Sequence, residues 1–578
     1  MHRSQLIALL FPALIWSCSS TPEATQADTT TTEALVVEAS APEIPERAIP
    51  DESLYPLLVA EFALRRRAYD VALDQYMDQA EALQDRGVSA HTTRLAQFMK
   101  REPEALAAAQ LWVELDPQNV EANNTLATLL VRRGRTVEAI PYVAIVARSG
   151  ADTSFPMLLN GFRQLSPAQQ GELVDGINTL ATEFPDDPQL RLTQALIHEE
   201  LKQTEQALEK LNLLFELEPY QQQAVLLEAK LLVETGAKDP FKRMRAALAE
   251  NPEDSRLRLQ YARLLTREDM DAARQQFEIL SSQNPDDADL LFSLALISRE
   301  TGDLPAAKGY LQNLLDMSER EDEAHYYLGR IAEDQNDQKL AIEQYMQVQA
   351  GRDFLSANNR IGQILLEQGQ LEQSQQYFTA LRDRRPEQRE PLYGLEAELL
   401  NSSEMWDASL SILNQGLNEF PDSTNLLYSR SMLGEELGDL DMMENDLRAI
   451  LDKDPNNATA LNALGYTLAN RTTRYEEARS LIAHALRIQP GDPAVLDSMG
   501  WVLYKQGQYE QAIKYLRQAF AKFPDPEVAA HLGEVLWASG DQDGAMEIWD
   551  SALLLNPDHA LLAATIKRLG VNAPEPQP

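Results

Sequence analysis

The sequence holds a single cysteine, Cys18, in 578 residues, so no internal disulfide can staple it. Seven histidines (His2, His91, His198, His325, His484, His531, His559) are scattered without metal-ligand spacing. His198-Glu199 lacks the second histidine that a zinc-binding helix would place one turn on. There is no phosphate-binding glycine loop and no serine elbow. No catalytic residue, metal site or cofactor is therefore assigned, and an enzyme is not expected. Basic side chains are in deficit: 51 Lys and Arg stand against 90 Asp and Glu, for a net charge of −39. Without a basic stripe, nucleic acid is not an expected partner, and an anionic membrane surface is disfavoured. The apolar run at residues 6–16 is too short to span a bilayer as a mature helix. Nowhere does an alternating strand pattern compete with helical spacing.

What is present is repetition. Between Pro490 and Pro524 stand Leu496, Met499, Gly500 and Leu503, then Gly507, then Ala512, Leu516 and Ala519. The next unit reads Leu532, Gly533, Leu536, Gly540, Ala545, Trp549, Ala552 and Pro557. The preceding one supplies Leu461, Leu464, Gly465, Leu468, Ala478, Ile482, Ala485 and Pro490. This period of about 34 residues resembles the tetratricopeptide repeat. Gly465, Gly500 and Gly533 fall mid-helix, where glycine costs roughly 1 kcal/mol against alanine, so a neighbouring helix is expected to pack against them. Gly507 and Gly540 suit a left-handed helix end. Asn457, Asp492 and Asp558 suit helix caps.

Similar units run back to residue 54. Closing prolines stand at Pro117, Pro185, Pro219, Pro252, Pro285, Pro386, Pro421 and Pro455 as well. Small residues mark the close-approach positions: Ala127, Ala195, Ala262, Ala295, Gly329 and Gly362 in first helices, Ala139, Ala207, Ala273, Ala307 and Ala341 in second ones. The expected fold is all-α, a tetratricopeptide-repeat superhelical solenoid of about fifteen helical hairpins over residues 51–557. Residues 558–578 read as a capping helix and tail. The stretch 149–184 is least regular, and a hinge or insertion is expected near Ser166-Pro167. Asp541-Gln542-Asp543-Gly544 is faintly like a calcium loop but falls on an inter-helix turn and lacks the terminal glutamate.

At the other end, His2 and Arg3 precede the apolar run, which closes on Ile15-Trp16-Ser17-Cys18. That resembles the lipobox of bacterial lipoproteins, with Trp16 departing from the usual small or aliphatic residue. The resemblance implies a signal peptide at 1–17, a lipidated Cys18 as mature N-terminus, and membrane attachment through the lipid. The other reading is a secretory signal with an incidental cysteine. Serine, not aspartate, follows Cys18, which by the family's sorting rule implies the outer membrane, periplasmic side. Residues 18–50 are rich in Thr, Glu, Ala and Pro and cannot bury enough surface to order themselves. They are expected to form a disordered tether.

The acidity is uneven. Residues 455–570 carry ten Lys/Arg against thirteen Asp/Glu, a net of −3, so most of the excess lies earlier. By the repeat's register, Asn462, Tyr466, Asn470, Asp497, Trp501, Tyr504, Glu534 and Trp537 fall on the inner, concave face. A Tyr/Trp ladder with Asn and Asp between suits a protein or peptide ligand. The alternative is that these rings pack between repeats as core. Trp549, at a second-helix position, reads as structural.

The segments 54–63, 109–113, 464–466, 497–501 and 526–533, with the lipobox, resemble a family of pseudomonad outer-membrane repeat lipoproteins. Members partner a periplasmic carboxyl-terminal processing protease. The resemblance implies an adaptor that binds the protease and delivers peptidoglycan hydrolases for degradation. The alternative is an assembly factor for a pilus, secretion or cell-wall synthesis complex, without proteolysis.

Overall fold

The computed structural model describes residues 49–556 and 559–570. The expectations for 1–17, Cys18, most of the 18–50 tether, Pro557, Asp558 and the tail from 571 lie outside the described residues. All regular structure among the described residues is helical, as thirty α-helices and three short 3-10 segments. None of these helices is long and apolar enough to cross a membrane. Twenty-eight helices form fourteen successive hairpins, and the lone helix Ala560–Arg568 follows the last. Helix Pro167–Glu183 has no first-helix partner: the 3-10 segments Phe155–Leu159 and Phe162–Gln164 precede it, and the first of them packs against helices Thr136–Arg148 and Pro188–Glu200.

Packing groups the chain into two compact units, divided between Pro219 and Tyr220. The repeat register in the sequence carries no mark of this division. The first unit buries Leu73, Trp112, Leu126, Val143 and Leu173 in one core. In the second, the largest core runs from Phe354 to Ile566 through twelve hairpin helices and the last helix.

Local chemistry explains the boundaries. Asn457 accepts a hydrogen bond from the Ala460 amide at 3.0 Å, and Asp492 from those of Ala494 at 2.9 Å and Val495 at 3.1 Å. Each satisfies amides that a helix start leaves open. Asp541 does the same for Gly544 at 3.0 Å, so that tetrapeptide is a helix cap. Gly507 and Gly540 take φ of 77° and 96°, the left-handed region where a Cβ is strained. Arg67, Lys100, Lys202, Asn336 and Glu404 also take positive φ, which is why the glycine marker is missing from those units.

The mid-helix glycines are sites of close approach. A Cβ on Gly465 would lie 2.6 Å from Ile482 Cγ1, one on Gly500 2.5 Å from Leu516 Cγ, and one on Gly533 2.0 Å from Trp549 Nε1. The alanines at the corresponding positions elsewhere are buried, from Ala127 and Ala139 to Ala341. The irregular stretch lies at 155–164 instead of Ser166-Pro167. Phe155, Leu158 and Phe162 are buried in the first unit's core there. Ser166 and Gln169 form a capping box that starts the next helix. Phe155, Leu158 and Phe162 fill the core from tight turns instead of from a helix, with the exposed Gly161 at φ 76° between the two 3-10 segments.

Candidate functional site

The first helices of the last repeats are Thr424–Leu437, Ala458–Arg471, Pro493–Lys505 and Pro526–Ser539. Their side chains separate into a groove open to solvent and an interlock behind it. The eight residues expected to form one ligand face divide between the two.

The groove has a volume of about 580 Å³. Tyr428 and Glu435 of one repeat, Asn462 and Tyr466 of the next, and Asp497 and Glu527 of the two after that line it. Phe523, 57% exposed, stands at its lip. Among the described residues no Lys, Arg or His lines it, whereas five carboxylates do: Glu435, Asp492, Asp497, Asp525 and Glu527. Asn462 Oδ1 is closed off from solvent and accepts no hydrogen bond. Burial, then the nearby Glu527, Asp497 and Glu435 carboxylates, push the Tyr466 hydroxyl well above the ordinary phenol range. It stays a neutral donor and acceptor.

Behind the groove the repeats are tied by a buried histidine. His531 Nδ1 lies 2.9 Å from Asp497 Oδ2, and its Nε2 lies 3.4 Å from the Tyr466 hydroxyl. One imidazole therefore joins the first helices of three successive repeats. Trp501 stacks on the same ring, with centroids 4.2 Å apart and planes 26° apart. Its Nε1 donates to Asn470 Oδ1 at 3.3 Å, and Lys505 Nζ lies 4.5 Å from the ring centroid. Burial alone lowers the His531 pKa, but the Asp497 carboxylate, with Glu527 and Glu534 beyond it, more than offsets this and leaves it raised.

Further along, Tyr504 donates to Glu534 Oε1 at 3.2 Å, and Arg568 of the last helix pairs with the other Glu534 oxygen. Burial and then Glu534 raise the Tyr504 pKa to about 12. Trp537 is half-buried against Trp549, with ring centroids 5.9 Å apart. Trp501 is only 5% exposed and Glu534 only 4%, so both are spent on packing between repeats. Asn462, Tyr466 and Asp497 are the predicted residues that reach the groove.

Sequence reasoning missed His531, Glu435, Phe523 and Glu527. The usable signal was spacing: His531 lies 34 residues after Asp497, one repeat on, at neighbouring positions of adjacent first helices. Among the described residues no group of three or more His, Cys, Asp or Glu is placed to hold a metal ion.

Stacked helical hairpins with close-packed small residues and an inner-face groove define a helical-repeat binding scaffold. The chain belongs to the tetratricopeptide-repeat family. Sequence profiles described as tetratricopeptide repeat match residues 263–307, 299–353, 355–387, 456–525 and 498–560. It is 40% identical over 538 residues to the TPR repeat-containing protein PA4667 of Pseudomonas aeruginosa, covering 92% of this chain and 90% of that one. A shorter likeness, 33% over 84 residues, covers 14% of this chain and 7% of the cellulose synthase operon protein C of Pseudomonas fluorescens. Among solved structures, Cut9 with Hcn1 matches at TM-score 0.32 and 14% identity, covering 90% of this chain and 96% of that one. Yeast Tom70 matches at TM-score 0.30 and 12% identity, covering 90% and 95%. Proteins of this repeat family are typically non-enzymatic and serve protein–protein contacts.

Proposed function

We propose that the chain is a lipid-anchored adaptor on the periplasmic side of the outer membrane, tethered through Cys18. It binds a carboxyl-terminal processing protease and presents protein substrates such as peptidoglycan hydrolases for degradation. The observation that carries the binding half is the groove lined by Tyr428, Asn462, Tyr466 and Glu527, which offers aromatic and hydrogen-bonding surface across successive repeats. The mechanism is effective concentration. Two proteins held on one scaffold meet as if each were at about millimolar level, with no new chemistry supplied.

The test uses purified components. Degradation of a peptidoglycan hydrolase by the protease is followed with and without the full-length chain. The adaptor reading expects a ternary complex by size-exclusion chromatography and faster hydrolase loss. A chain that binds neither protein, or a hydrolase degraded at one rate throughout, overturns it. Co-purification with pilus, secretion or cell-wall synthesis components instead would make it an assembly factor.

A further inference from the structure

We propose that the groove takes an extended polypeptide segment bearing lysine or arginine side chains. This deepens the adaptor reading and rests on it, since it names the chemistry of the segment that the adaptor holds.

Charge complementarity is the first support. Among the described residues, five carboxylates and no basic residue line the groove; Asp497 is paired with His531 and Glu435 with Arg471, which leaves Asp492, Asp525 and Glu527 to meet a cation. The surrounding stretch, residues 455–570, is close to neutral at a net −3, so the negative charge here is local. The nearest bases are already engaged: Arg471 lies 3.7 Å from Glu435, and Lys522 donates to the Gly491 carbonyl at 2.9 Å. Glu527 faces solvent and forms no ion pair among the described residues.

Second, the groove is closed to the competing ligand. An acidic tail or terminal carboxylate seeks free amides at helix starts. Asp492 already takes the amides of Ala494 and Val495, and Asp525 takes that of Glu527 at 2.8 Å. Two of the helix starts that border the groove are thus capped with negative charge, and the third, at Ala458, is capped by Asn457.

Third, the groove has the remaining parts that a basic side chain needs. Glu527, exposed at the groove, is an acceptor that a basic side chain can reach. Tyr428, Tyr466 and the exposed Phe523 supply ring faces for a cation and for the apolar stem behind it. The groove crosses the first helices of successive repeats, which favours an extended segment over a compact one.

The experiment is fluorescence anisotropy with the full-length chain in mild detergent. The probe is a labelled peptide of alternating lysine, tyrosine and alanine, compared with versions carrying glutamine or glutamate at each lysine. The lysine peptide is expected to bind most tightly, with affinity falling as salt rises from about 50 to about 300 mM. The glutamine version should bind about fivefold more weakly or worse, and the glutamate version not at all. Glu527→Lys, at an exposed position, should weaken the lysine peptide about tenfold. Asp525→Asn, which keeps a capping side chain, should weaken it about twofold to fivefold with an unchanged circular dichroism spectrum. Equal binding of the glutamine or glutamate peptide, indifference to Glu527→Lys, or no binding of the lysine peptide each overturns the proposal. If the same chain still forms the complex with protease and hydrolase, the adaptor reading stands while this one falls. Loss of that complex as well removes both.

Discussion

His531 and Asp497 are buried together between two successive repeats, Nδ1 to Oδ2 at 2.9 Å, with the Trp501 ring stacked on the imidazole. The pair ties groove to scaffold, because Asp497 and Tyr466, the hydrogen-bond partners of the His531 ring, both line the groove.

The first prediction concerns pH. The folded-state pKa of His531 is raised, so its contribution to stability is full below the unfolded value of about 6.5. It is lost as pH rises through the folded value. Amide exchange in helices Pro493–Lys505 and Pro526–Ser539 should therefore be slower near pH 6 than the intrinsic rate change explains, and faster as pH rises further. His531→Phe should abolish this dependence and destabilise the region by about 3 kcal/mol, since Asp497 is left buried without its partner. An unchanged exchange profile in the variant would refute the assignment.

Trp501 and Trp537 should behave differently. Trp501→Ala removes a stacked, buried indole and should destabilise the last repeats by about 3 to 5 kcal/mol. Trp537→Ala, at a half-buried ring, should cost about half of that. Urea titration followed by circular dichroism separates them, and equal losses would contradict the burial difference.

Two glycines should respond with opposite signs. Gly533→Ala drives a Cβ into Trp549 and should destabilise by about 1 to 3 kcal/mol. Gly171→Ala, in an exposed helix interior with no atom within 4 Å of the new Cβ, should stabilise by about 0.5 to 1 kcal/mol. Thermal melts of the two variants check the pair, and any stabilisation by Gly533→Ala would be incompatible with the packing described.

Arg382 and Glu396 form a buried ion pair between successive hairpins, with the guanidinium over the Tyr393 ring. Burial raises the Glu396 pKa although Arg382 opposes it. A carboxyl with a raised folded pKa loses stability as pH climbs from its unfolded value through its folded one. Arg382→Ala removes the opposing charge, so its destabilisation, about 3 to 5 kcal/mol at pH 7, should shrink towards pH 5. Denaturant midpoints at the two pH values test the sign.

Much of the fold was legible because the repeat writes its packing into residue size. Only a very small side chain fits where Trp549 meets Gly533 or Leu516 meets Gly500, so glycine and alanine at fixed spacing disclosed the hairpins. Turns closed by Arg67, Lys202 or Glu404 were harder to see, since a left-handed residue need not be glycine. The stretch 149–184 was marked as irregular, but the two 3-10 segments within it, at 155–164, follow from how Phe155 and Phe162 fill the core, which spacing does not encode.

The sequence alone determined the all-helical repeat class, the helix caps and the positions where backbones approach, because each depends on one residue and its near neighbours. Tertiary structure alone decided which first-helix side chains reach solvent. Trp501 and Tyr466 hold the same register, each just after its packing glycine, yet one is buried against a histidine and the other lines the groove. The difference comes from the side chains that the next two repeats present, His531 and Glu527 among them, and register within a single repeat carries no information about those.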